Sequence, residues 1–289
     1  MKYCIIPHLQ IQRANALATP AFVSPATPFA ATMMAHALGR KLGTQPLAIG
    51  ILHYDAQLLA EEFYGQVAPQ QFRGSTFIDA KDYSSKNKHA LSLQPTASMH
   101  LSLSLVLLFD DACPSASRVT EALQECRLAG GLIVSHQDIE IVSSFAASSE
   151  SVMSNLRYGF WLQDQSALLT EQAKGRAKSL FDYIGFQPKE SSQSNELPED
   201  GPVVKKEVAH QTEPQWLLPA VMGYATITPF AQRVGVREDV PHAFAEPLVG
   251  LVHYKSVRQV QEDDSLFWSG SWIRDDVFVV TSHPISHFS

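Results

Sequence analysis

His8, Gln10, Gln12, Arg13 and Asn15 place an imidazole, three amides and a guanidinium within eight consecutive residues. Amides and hydroxyls bond base edges and ribose 2′-hydroxyls, and a guanidinium neutralises phosphate, so this cluster has the chemistry of nucleic-acid contact. His100, Ser102 and Ser104 repeat a polar alternation later in the chain. The plainer reading of both stretches is a solvated sheet face, with Gln12 and Asn15 stabilising a turn, as Asn commonly does.

Catalysis is the other chemistry to weigh, since eleven histidines are present. A histidine can activate a ribose hydroxyl for metal-independent RNA cleavage, and His8, His36 and His100 are the residues such a ribonuclease would use. The sequence does not show that they converge. No His-Glu-x-x-His stretch occurs, and His283 with His287 lies beside Pro284, where a helix is disfavoured. A Gly-x-Ser-x-Gly elbow, a phosphate loop ending in Gly-Lys-Ser/Thr and a dinucleotide fingerprint are also missing. His136 near Asp138 has no activated serine or cysteine to serve. Cys4, Cys113 and Cys126 fit neither a disulfide framework nor paired zinc ligands. A non-enzyme without metal or cofactor is expected.

With 289 residues, 45% of them hydrophobic, the chain can bury a substantial core, which excludes global disorder. The start of the sequence lacks the basic flank and long apolar core of a secretory peptide, and no run approaches the roughly 18 apolar residues that span a bilayer. A cytoplasmic chain with no membrane partner is expected. The net charge of −7 opposes nucleic-acid binding, which normally needs a basic excess. Residues 188–213 hold three lysines and six acids and so account for −3, leaving −4 elsewhere, which still permits a local binding groove.

The elements that must position these residues can be read from periodicity. Lys2 to Gln12 alternates as a half-buried strand, with Ile5, Pro7, Leu9 and Ile11 on one side and Ile6, His8, Gln10 and Gln12 on the other; Ile6 alone breaks the polar side. Pro28 opens a helix over Phe29–Leu42 that Gly43 stops, with Thr32, His36 and Arg40 along one stripe. Strands follow at Leu47–Ala56 and Met99–Phe109, a helix at Ser115–Arg127, and a strand from Leu132 after Gly130-Gly131. Strand, helix, strand, strand, helix, strand is the ferredoxin-like, RRM-like α+β order, in which both helices cover one sheet face.

Residues 64–98 form an insert carrying Arg73, Lys81, Lys86 and Lys88, either a projecting thumb that touches nucleic acid or a solvated loop. The expected organisation is a ferredoxin-like RNA-binding domain over 1–150, a helical and strand extension over 151–187, a flexible loop over 188–214, and C-terminal strands over 215–289 that return to the fold. The Lys/Arg-Gly and spaced aromatics of RNA-recognition sheets are missing, so any RNA would be gripped mainly by backbone and loops, not by aromatic stacking across the sheet.

Pro7-His8-Leu9-Gln10-Ile11-Gln12-Arg13-Ala14-Asn15-Ala16, then Thr19-Pro20 and Ala35-His36-Ala37-Leu38, resembles the opening of the type I-F CRISPR-associated Csy-two family, also called Cas-five-f. Arg127-Leu128-Ala129-Gly130-Gly131, Gly159-Phe160, Trp216-Leu217-Leu218-Pro219, Gly223-Tyr224, Thr228-Pro229 and Val249-Gly250-Leu251 follow in the family's order, over nearly the whole chain. Arg13 stands where the family has asparagine, Met33 where it has glycine, and the Trp-Leu-Ser-Pro-His expected after Tyr254 is absent; the chain resembles a divergent branch.

The resemblance implies a ferredoxin-like RAMP subunit of a surveillance (Cascade) complex. Such a subunit holds the five-prime handle of the guide RNA (crRNA), touches the adjacent backbone subunit, and pairs with the large subunit that reads the PAM where one is present. Where none is present, it would contact target DNA itself. Gln10, Gln12, Arg13, Asn15, His36 and Arg40, with Arg127, Gly130 and Gly131 as a second contact, are the residues expected to bind RNA: arginines on phosphate, amides on hydroxyls or bases, glycines allowing close backbone approach. A scaffolding protein without RNA contact is the remaining alternative.

Overall fold

A computed structural model of the chain describes residues 1–19, 22–70, 72–73, 93–94, 96–110, 112–145, 156–169, 176–184, 216–234 and 240–288. The protein is a mixed α/β fold dominated by one large antiparallel sheet. β1 (Lys2–Asn15) leads into a short hairpin of β2 (Leu17–Thr19) and β3 (Phe22–Val23), then α1 (Pro28–Leu42) and β4 (Ala48–Leu58). A small hairpin follows, β5 (Ala60–Phe63) with β6 (Gln66–Pro69), and β7 (Phe72–Arg73) pairs antiparallel with β8 (Leu93–Gln94). β9 (Ser98–Phe109), α2 (Ala116–Leu123), β10 (Arg127–Leu128), β11 (Gly131–Ser135) and β12 (Glu140–Val142) complete the first half. The second half contributes β13 (Phe160–Asp164), α3 (Arg176–Tyr183), β14 (Leu217–Thr226), β15 (Ala245–Ser256), β16 (Phe267–Arg274) and β17 (Val277–His283).

In the first half the sheet runs β11-β1-β9-β4, all antiparallel, so its four long-range strands lie in the order fourth, first, third, second. α1 and α2 cover one face. Pro28 fits the first turn of α1, where its missing N–H costs nothing, and Gly43 at φ 75° stops the helix in the left-handed region. Ala31, Met34, Ala35, Leu38 and Leu42 from α1 and Val119 and Leu123 from α2 share one core with Cys4, Ile6, Leu9, Ile11, Leu101, Leu103 and Leu105.

The strict alternation expected of β1 does not hold, and the reason is local. Its register with β9 gains an extra residue between Ile6 and Leu9 and another between Ile11 and Ala14, two bulges marked by positive φ at His8 (50°) and Arg13 (56°). Each bulge inverts which residues face the helices. Before the first, Cys4 and Ile6 face them and Tyr3 and Ile5 face away; after it, Leu9 and Ile11 face them; after the second, Ala14 and Ala16 do. Ile6 is therefore an ordinary core residue, and Ile5 belongs to the face opposite Leu9 and Ile11.

The second half closes a ring. β4 pairs with β13, β13 with β15, β15 with β14, β14 with β17, β17 with β16, and β16 returns to β4 at Phe267↔Gly50 and Trp268↔Ile49. β9 holds one edge of β4, so β13 at Leu52 and His53 and β16 at Ile49 and Gly50 take the same other edge, and the five second-half strands close in an antiparallel ring against β4. Trp268 is fully buried within it and its Nε1–H donates to the Leu162 carbonyl at 2.9 Å, tying β16 to β13. The strand segments expected from residue 216 onward are thus β14 to β17. Of the helical and strand extension expected over 151–187, β13, a 3₁₀ turn at Ser166–Leu169 and α3 are among the described residues, and residues 170–175 and 188–214 lie outside them.

Candidate nucleic-acid interface

The sheet face away from the helices is covered along only part of its length. Tyr3, Ile5, Leu52, Val106 and Leu108 are buried there beneath Trp161, Leu266 and Phe267. Beyond them the face turns polar. Gln10, Gln12 and Asn15 of β1 and Asp55 and Gln57 of β4 are exposed, while His8, Tyr54, His100 and Ser102 are half-buried. Gln10 Nε2 donates to Ser102 Oγ across the strands at 2.8 Å.

Ser104 is buried at the junction, where its Oγ accepts the His8 backbone N–H at 2.8 Å and lies 2.6 Å from the Tyr54 hydroxyl. The His8 ring stacks on Tyr54 with centroids 4.4 Å apart and planes 14° apart, and Tyr158 leans on both at 5.6 and 4.9 Å. Burial pushes the Tyr54 phenol up to about 12, with Tyr158 adding to the rise and the Ser104 bond opposing it, so Tyr54 stays protonated at neutral pH.

Local backbone brings these rings together. The β1 bulge turns His8 toward the polar face, and a bulge between His53 and Asp55 does the same for Tyr54 on β4. Gly159, at φ 109°, sits so close to β4 that a Cβ there would meet the His53 carbonyl at 2.8 Å and the Tyr54 ring at 2.9 Å. Only glycine fits, and it sets Tyr158 beside Tyr54.

At the end of β1 a second group gathers. Asn15 commits its side chain to the turn: Oδ1 accepts the Leu17 N–H and Nδ2 donates to the Leu17 carbonyl, both at 3.1 Å. Its own N–H donates to the Ala129 carbonyl. Ala129 and Gly130, with φ 47° and 74°, form the tight two-residue turn between β10 and β11, and Arg127 Nη1 donates to the Gly130 carbonyl at 3.4 Å. Gly131 is buried, and a Cβ on it would come within 2.6 to 2.8 Å of Ile11 and Ala14, so its close approach is to β1. Exposed Arg13, Asn15, Arg127 and Gly130 thus cluster at this edge, where a cleft of about 320 Å³ runs past Asn15, Ala129 and Gly130 to Ser24 and Thr27.

His36 and Arg40 do not join them. Both are exposed on α1, which packs on the opposite sheet face, and His36 lines a separate apolar cleft of about 550 Å³ with Phe29, Trp268 and Trp272. The three histidines of the ribonuclease reading are likewise apart. His36 is across the sheet from His8, and His100 lies four strand residues from Ser104, the neighbour of His8, a distance of roughly 13 Å. Among the described residues no group of three or more His, Cys, Asp or Glu could hold a metal ion. Arg73 is described only as part of β7, and Lys81, Lys86 and Lys88 lie outside the described residues.

Tyr54 and Tyr158 escaped the sequence reading. The available signal was an Arg-Tyr-Gly triplet, Arg157 to Gly159, directly ahead of a strand.

The candidate surface is thus a polar sheet face with clustered aromatic rings, flanked by exposed arginines. Residues 4–277 match the sequence pattern of the family described as CRISPR-associated protein (Cas_Csy2), and the chain belongs to that family. It is 26% identical to the CRISPR-associated protein Csy2 of Pseudomonas aeruginosa (strain UCBPP-PA14), over 91% of this chain and 90% of the relative. No helix among the described residues is long and apolar enough to cross a membrane.

Proposed function

We propose that this chain is a non-catalytic subunit of a type I-F CRISPR surveillance complex that binds the five-prime handle of the guide RNA. The observation that carries the reading is the polar sheet face from His8 to Asn15 in a chain of the Csy2 family. The fourth-first-third-second strand order supports a ferredoxin-like RAMP unit as its frame. RNA lies along this face and leaves over Arg13, Arg127 and Gly130. Gln10 and Gln12 meet bases or 2′-hydroxyls, and the arginines meet phosphate. Asn15 holds the turn and presents its remaining amide hydrogen. His36 and Arg40 touch RNA only where it rounds the sheet edge.

Assembly with the backbone subunit, and with a PAM-reading large subunit where one exists, is supported by an apolar surface around β14 to β17. Ile227, Phe230, Phe244, Trp272 and Ile273 are exposed there, with Phe230 and Trp272 in ring contact at 6.3 Å. In a complex without a large subunit the chain itself contacts target DNA. The acidic net charge agrees with RNA held jointly with neighbouring subunits.

The test is co-expression with the neighbouring genes and a guide RNA, then purification and sequencing of the RNA retained. A uniform short RNA with one five-prime end is expected, lost in the Arg13→Ala, Arg127→Ala double variant and largely kept in Arg40→Ala. Purification of an intact complex whose RNA is insensitive to the double variant would leave the scaffolding reading in its place.

A further inference from the structure

On the polar face one large ring projects far more than its neighbours. Tyr158 is 60% exposed, yet it is fixed from below by Tyr54 at 4.9 Å and His8 at 5.6 Å. Its backbone is fixed too, because Gly159 sits against β4 and the Gly159 carbonyl accepts the Val257 N–H at 3.1 Å. A tyrosine that served only the core would be covered. One that were merely a surface residue would not need a backing stack, a glycine in the left-handed region and a buried serine aligning the ring beneath.

We infer that Tyr158, backed by Tyr54 and His8, is a stacking platform for one nucleobase of a single-stranded RNA lying on this face. The inference rests on the RNA-binding reading above and replaces the expectation that aromatic stacking plays little part. A ring that already leans on Tyr54 and His8, its plane tilted 43° and 36° to theirs, offers its outer π-face to any base at reduced cost in side-chain entropy. Charged residues adjoin the platform along the chain. Arg157 precedes it and is exposed, available to phosphate, whereas exposed Asp55 follows Tyr54, accepts only, and repels phosphate. The base accordingly lies toward β4 and the backbone toward Arg157. A base edge carrying an amino or imino donor suits Asp55, while a phosphate there would be driven off.

The experiment uses the purified full chain with its partner subunits and guide RNAs in which 2-aminopurine replaces one base at a time along the five-prime segment. Stacking on an aromatic ring quenches this base. One position is expected to be quenched on binding, with fluorescence restored in Tyr158→Leu and quenching kept in Tyr158→Phe. Affinity for the unmodified guide should fall about tenfold in Tyr158→Leu, near the lower end for a single stacked base. An unchanged melting temperature in that variant separates lost stacking from lost folding. Equal guide binding by wild type and Tyr158→Leu, with no position whose quenching depends on Tyr158, overturns the platform and leaves RNA binding standing. Wild type that binds no guide at all overturns both.

Discussion

His53 is the residue whose surroundings conflict most with its chemistry. It is buried beside Tyr254, with rings 5.1 Å apart, and among the described residues its Nε2 has no hydrogen-bond partner. Burial holds its proton affinity down to about 4, against a smaller upward pull from Asp55, so it is neutral in the fold. In the unfolded chain it takes up a proton near pH 6.5. Its contribution is therefore complete above about pH 6.5 and is lost as the pH falls toward 4, because the unfolded state binds the extra proton. The loss over that window is roughly 3 kcal/mol. Urea midpoints measured at pH 7 and pH 4.5 should show this decline in wild type and a smaller one in His53→Leu; equal declines would place the acid sensitivity elsewhere.

At the scale of elements, the two bulges of β1 govern how the chain presents its polar residues. Arg13 sits at φ 56°, a conformation costing a non-glycine residue about 1 kcal/mol or more. Arg13→Gly should relieve that strain, leaving stability equal or raised by up to about 1 kcal/mol, while removing a phosphate contact. Chemical denaturation and guide-RNA binding measured on the same variant are expected to move in opposite directions; parallel losses would mean that Arg13 supports the fold first.

The same bulges mark the limit of what was legible. Periodicity located β1, α1, β4, β9, α2 and β11 to within a few residues, because each buries one face and repeats accordingly. A bulge inserts a single residue without any compositional mark, so Ile5 was assigned to the wrong face and Ile6 looked like an error. The site divided similarly. Gln10, Gln12, Arg13 and Asn15 were legible because they share one strand, whereas Tyr54 and Tyr158 are separated by a hundred residues and meet only through β13. His36 and Arg40 join the expected contacts through the resemblance, and a βα connection carries their helix to the far side of the sheet from the polar face.

For the whole molecule, the closure of β13 to β17 against β4 makes the two halves interdependent. Trp268 packs inside the ring and bonds across to β13, so Trp268→Leu should cost about 3 kcal/mol from lost burial and the lost bond. Hydrogen exchange should then quicken together in β13, β16 and β17 and also in β4. Faster exchange confined to β16 would show that the ring does not open as a unit. Closure of that ring has a consequence during synthesis. The edge of β4 that meets β16 is made within the first sixty residues, but its partner at Phe267 and Trp268 leaves the ribosome more than two hundred residues later. Until β13 arrives, and at Ile49 and Gly50 until β16 arrives, an apolar strand edge stands unpaired, open to wrong partners of the kind that nucleate aggregation. The nascent chain thus spends most of its translation with an unfinished seam, and truncated products ending before residue 267 are expected to collect in the insoluble fraction.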